Sequence, residues 1–81
     1  MIIQVKLFAI IRDIVGSDEL IIELPENSRA SNVLEKIIQE HPQVAEWKDV
    51  VRLAVNCEYV LHEHRIFQND EVAVIPPVSG G

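Results

Sequence analysis

The sequence predicts a two-layer α+β domain, with a mixed sheet of about five strands packed on one main helix. Three observations predict it. Near the start, Ile3, Val5 and Leu7 alternate with Gln4 and Lys6, and near the end Val72 and Val74 face away from Ala73 and Ile75; both are the period-two pattern of a strand. In the middle, Ala30, Val33, Leu34, Ile37, Ile38 and His41 follow the i, i+3, i+4, i+7, i+8 spacing of an amphipathic helix. The chain has 81 residues and is 48% hydrophobic, enough for one core and one domain.

The elements follow in order. Ile2 to Ala9 reads as the first strand, and Ile10 to Val15 as a short helical turn that stops at Gly16. Gly16-Ser17-Asp18 is a loop signal. Glu19 to Leu24 alternates again and Pro25 stops it, which predicts an antiparallel pair with the first strand. The polar linker Pro25 to Arg29 precedes the main helix. Ser28 is the N-cap candidate, with Ser31 and Asn32 competing. Pro42 ends the helix at or before His41. Val44, Trp47 and Val50 fit one short helix folded under the core. Arg52 to Asn56 is a third strand, which Cys57 to Leu61 either continues or follows as a short fourth. His62 to Asp70 is a polar loop with Ile66 and Phe67 as anchors. Glu71 to Ile75 is the last strand, because Pro76-Pro77 cannot donate to a sheet ladder.

Composition excludes several functions. A formal charge of 7 − 13 = −6 repels phosphate backbones and disfavours nucleic-acid binding. Cys57 is the single cysteine, so no internal disulfide forms, which fits a reducing cytoplasm. Lys6, Arg12 and Asp13 break the apolar start before a signal sequence can form. No apolar run approaches a membrane span. The expectation is a soluble cytoplasmic protein, and one too short to wall in a deep active site of its own.

The C-terminal end is the unusual feature. Two of the three glycines are the last two residues, an arrangement that average glycine usage gives in roughly 0.5% of chains, so chance is a poor account of it. Pro76-Pro77 prefers polyproline II and stiffens the exit from the last strand. Extended, the residues from Pro76 to Gly81 span about 20 Å at ~3.3 Å each. This divides the chain into a domain, 1–75, and an extended reactive tail, 76–81. Glycines without side chains can enter a narrow channel. A terminal carboxylate is a poor electrophile until activated, so chemistry there needs ATP and a partner rather than residues of this chain.

Phe8-Ala9-Ile10-Ile11-Arg12, Gly16, Ala54-Val55-Asn56 and the closing Asp70-Glu71-Val72-Ala73-Val74-Ile75-Pro76-Pro77-Val78-Ser79-Gly80-Gly81 resemble the small subunits of molybdopterin synthase, the MoaD family. The resemblance runs the full length, and Pro-Pro-Val-Ser-Gly-Gly is its specific part. It implies a ubiquitin-like β-grasp fold and a sulfur carrier of molybdenum cofactor biosynthesis that is not an enzyme on its own. An E1-like adenylating enzyme would use ATP to activate Gly81, and sulfur from a cysteine-desulfurase system would convert it to a thiocarboxylate. The tail would enter the large synthase subunit, in a heterotetramer, and pass sulfur to cyclic pyranopterin monophosphate. By position, Gly81 bears the sulfur and Gly80 lets the end thread. Phe8, Tyr59 and Ile75 would form an apolar docking surface that Pro76, Pro77, Val78 and Ser79 continue. No permanently bound cofactor and no metal is implied. Gln68-Asn69-Asp70 departs from the usual Asp-Gly-Asp turn, but asparagine tolerates a left-handed conformation.

Other chemically suggestive residues also have plain structural readings. His62 and His64 would share a strand face and could hold a metal, but Glu63 and Arg65 mark an exposed loop. Cys57 has no base neighbour in sequence and reads as an incidental thiol. Trp47 is either a partner anchor or packing beneath the helix end, and packing is favoured. Arg12 is either a partner contact or a solvated cation. Asp70-Glu71 places a turn residue beside a solvated strand residue. A sulfur carrier of another route (thiamin or cysteine type), a ubiquitin-like modifier of lysines, and an interaction module with an inert tail are the alternatives.

Overall fold

A computed structural model of the chain describes residues 1–77. Strands β1 (Ile2–Leu7) and β2 (Glu19–Glu23) flank helix α1 (Ala9–Val15). Helix α2 (Ala30–Glu40) leads into a 3₁₀ helix, Pro42–Trp47. Strands β3 (Arg52–Val55), β4 (Glu58–Val60) and β5 (Glu71–Ile75) complete a five-stranded sheet of order β2-β1-β5-β3-β4. The sheet is mixed, as the sequence predicts: β1 pairs in parallel with β5, and the other neighbours are antiparallel.

The two periodicities account for the two layers. Ile3, Val5, Leu7, Leu53, Val72 and Val74 point from the sheet toward Val33, Leu34 and Ile37 of α2, and all are buried. Burying each such side chain contributes about 1.5–3 kcal/mol. Because β1 and β5 run parallel, with Leu7 opposite Val74, the end of β1 and the exit toward Pro76-Pro77 lie side by side. The fold thereby places the β1–α1 junction against the root of the tail.

Several boundaries differ from expectation. β1 ends at Leu7, and α1 begins at Ala9, whose φ of 51° puts an alanine in the left-handed region. Beyond that turn Ile11 is buried in the core, and before it Phe8 is exposed. Gly16 closes α1 at φ 86°, its N–H donating to the Arg12 carbonyl at 2.8 Å. Ser28 does not cap α2. Its hydroxyl donates to the Pro25 carbonyl at 2.7 Å, and the N-cap position is Arg29. The first N–H groups of α2 are met instead by backbone from the 61–65 segment: Ala30 donates to His64 O and Ser31 to His62 O, each at 2.8 Å. Asn32 Oδ1 accepts from the Arg29 N–H at 2.7 Å.

Val50 and Phe67, expected against the core, are 50% and 60% exposed. In extended chain, neighbours point opposite ways, so Ile66 at 1% exposure takes the inward position that Phe67 cannot share. Val50 sits in the turn at residues 48–50, whose Val50 and Val51 N–H groups both donate to the Trp47 carbonyl, and Val51 after it fills the core place. β3 and β4 are separate strands joined by a tight turn in which Asn56 (φ 50°) and Cys57 (φ 71°) are both left-handed, the conformation of a type I′ hairpin.

Candidate functional site

An apolar groove of about 550 Å³ opens where β5 ends. Phe8, Ala9 and Ile10 form one wall at the β1–α1 junction. Trp47, from the end of the 3₁₀ helix, forms another, and Ile75, Pro76 and Pro77 form the third. Each wall is held by a different constraint. Phe8 is still extended at φ −131° and ψ 152°, so alternation from buried Leu7 turns its ring outward, 43% exposed. Trp47 is half-buried and packs against the core cluster while also facing the groove. The proline rings fix φ near −65°, so their wall loses little freedom when something binds. None of these side chains is an acid, a base or a nucleophile. The groove can bind, but it offers no group for catalysis.

Beyond the groove lies the solvent face of the sheet. The pairing aligns Glu19, Lys6, Ala73, Ala54 and Tyr59 in one row across all five strands. Lys6 Nζ sits 3.3 Å from Glu19 Oε1. The hydrogen bond and charge of Glu19, with a further contribution from Glu71, hold the Lys6 ammonium above the ordinary lysine range. Two small alanines leave the middle of the row low. At its far end Tyr59, 59% exposed, lies under the Arg52 guanidinium, 4.1 Å from Cζ to the ring centroid. Arg52 in turn pairs across the sheet with Ile75.

Phe8, Ile75, Pro76 and Pro77 thus line one groove. Tyr59 does not join them in the groove: β4 carries it to the sheet edge, connected only through Arg52 and Ile75. Val78, Ser79, Gly80 and Gly81 lie outside the described residues. Trp47 packs against the core, as the favoured reading expects, and also lines the groove. Ile10 and Arg52 carried no signal in the sequence, because their neighbours here come from distant segments.

The remaining candidates have structural places. His62 and His64 give their backbone carbonyls to α2, and among the described residues no group of three or more His, Cys, Asp or Glu side chains is placed to hold a metal. Cys57 is exposed at the hairpin tip. Asp70 organises the turn before β5: its carboxylate accepts from the Phe67 N–H at 2.8 Å and from Asn56 Nδ2 at 3.0 Å. Asn69 is left-handed at φ 69°. Arg12 is half-exposed beside Asp13. Among the described residues, no helix is long and apolar enough to cross a membrane.

The ThiS family model matches residues 5–81. The molybdopterin synthase sulfur carrier subunit of Dictyostelium discoideum is 40% identical over 81 residues, covering 96% of this chain and 94% of that one. A candidate molybdopterin converting factor subunit 1 from Pyrococcus furiosus superposes with a TM-score of 0.86 at 35% identity, covering 96% and 99% of the two chains. SAMP1 of Haloferax volcanii superposes with a TM-score of 0.88 over the whole of both chains at 24% identity, a likeness of fold alone. The fold is the ubiquitin-like β-grasp.

Proposed function

We propose, from the premise that the chain belongs to the ThiS family, that it is the sulfur carrier subunit of a molybdopterin synthase. Residues 1–75 are the handle and docking surface, and residues 76–81 are the reactive tail. The Gly81 carboxylate attacks the α-phosphorus of ATP in an adenylating partner, and pyrophosphate leaves. The persulfide of a cysteine-desulfurase system attacks the acyl carbon, AMP leaves with one carboxylate oxygen, and a thiol reductant cleaves the resulting acyl disulfide to the thiocarboxylate. The resulting thiocarboxylate enters the large synthase subunit, in a heterotetramer, and gives its sulfur to cyclic pyranopterin monophosphate, water taking the place of sulfur on the acyl carbon and restoring the Gly81 carboxylate. ATP belongs to the activating partner, and this chain contributes no catalytic side chain.

The observation that carries this reading is the apolar groove whose third wall is made of the tail's own first residues, Pro76 and Pro77. A carrier must present its end and its recognition surface together, and here they are contiguous. Reconstitution tests it. The chain, loaded as the thiocarboxylate and mixed with a large synthase subunit, is expected to convert cyclic pyranopterin monophosphate to molybdopterin in proportion to the carrier supplied. No conversion with a large subunit shown to be active on another carrier would reject the reading.

A further inference from the structure

We propose that the groove beside Trp47 is a socket for a protruding apolar element of the large synthase subunit, with Trp47 and Ile10 as partner-binding residues in addition to Phe8 and Ile75. The proposal rests on the reading above and deepens it: docking is concave here and takes in Trp47 of the 3₁₀ helix as well as Ile75 of the sheet.

Three observations carry it. The first is the lining. Phe8, Ile10, Trp47, Ile75, Pro76 and Pro77 are all apolar, and about 550 Å³ is ample for a leucine-sized or aromatic side chain. Filling such a groove removes apolar surface from water at roughly 25 cal/mol per Å². Large, rigid aromatics in recessed sites are the residues that dominate interface energies. The second is continuity. Pro76 and Pro77 belong at once to the groove and to the tail, so a protein that grips the tail's root is already at the groove's edge.

The third is reach. Four residues follow Pro77 in the sequence, and at ~3.3 Å each they span at most about 13 Å. The centre that receives Gly81 must lie within that distance of Pro77. A reaction centre inside a folded protein is surrounded by that protein's surface, so the surface around its mouth must cover the groove. The occupant is therefore the protein that takes the tail, and the groove's concavity requires a convex apolar element on that protein.

The chain has a single tryptophan, so a carrier grown with 5-fluorotryptophan gives one ¹⁹F resonance that reports Trp47 directly. Adding purified large synthase subunit to the full chain is expected to shift that resonance, and Trp47→Ala is expected to weaken binding at least tenfold. Phe67→Ala, at the opposite end of β5, should leave affinity unchanged. A carrier lacking Gly80-Gly81 should still give the shift while losing sulfur loading. An unmoved resonance in a complex shown to form by size would overturn the socket while leaving the carrier reading intact. Failure to bind the large subunit at all would overturn both. A shift produced in the free chain by removing Val78 to Gly81, or by dilution, would assign the groove to the chain's own tail or to a second copy, and would reject the proposal. Because the labelled chain keeps its native sequence, the result does not depend on how well Trp47→Ala folds.

Discussion

Cys57 shows how a residue that resembles a reactive group can owe its surroundings to backbone geometry. It sits at the second central position of the β3–β4 turn with φ 71°, after Asn56 at φ 50°. Asparagine bears a left-handed conformation well, whereas cysteine does so at a cost of about 1–2 kcal/mol. Cys57→Gly is therefore expected to raise unfolding stability by about 1 kcal/mol, read as a higher urea midpoint at constant slope. The same argument holds at Ala9, whose φ of 51° turns the chain from β1 into α1. Phe8 and Tyr59 make the opposite case. Both rings are largely exposed, so alanine at either is expected to leave thermal unfolding within about 0.5 kcal/mol of the parent, apart from the Arg52 stack at Tyr59, while weakening partner binding. Exposure at Phe8 agrees with alternation along the first strand, which puts it on the face of Gln4 and Lys6.

The elements were readable where one segment decides its own structure. The alternation of β1 and β5 and the helical spacing of Ala30 to Ile38 each belong to one stretch of chain, and each formed as its pattern requires. The cap of α2 was not readable, because its acceptors are backbone carbonyls of His62 and His64, more than thirty residues on. Side-chain capping preferences do not register a carbonyl delivered by tertiary structure. Two hydrogen bonds still tie this end locally, Ser28 Oγ to the Pro25 carbonyl and the Arg29 N–H to Asn32 Oδ1. Asn32→Ala is expected to cost about 1 kcal/mol, measured by denaturant unfolding. The β1–β2 pair supplies a pH dependence. With its pKa raised chiefly by Glu19, Lys6 binds its proton more tightly folded than unfolded. The pair's small contribution is thus complete below the ordinary lysine value and is lost as pH rises through the folded one. An NMR titration of the Lys6 ε-methylene should show the raised midpoint, and Glu19→Gln should bring it down.

At the scale of the whole molecule, the groove joins segments 8–10, 47 and 75–77, which no local pattern could have brought together. The parallel β1–β5 pair does so, by ending both strands at the same edge. What the sequence carries without the fold is the Pro76-Pro77 pair and the Gly80-Gly81 pair, on which the proposed tail chemistry rests. Handle and reactive end should be separable. Removing Gly81 is expected to abolish loading while leaving the unfolding midpoint unchanged, since the core of the domain is complete by Val74. The central claim is the chemistry at that end, and intact-mass measurement tests it most directly. After incubation with ATP, a cognate adenylating enzyme and a sulfur source, the chain should gain the mass difference of one oxygen replaced by sulfur, and the gain should vanish without ATP or without Gly81. An unchanged mass, with an adenylating enzyme shown to be active on another carrier, would contradict the account.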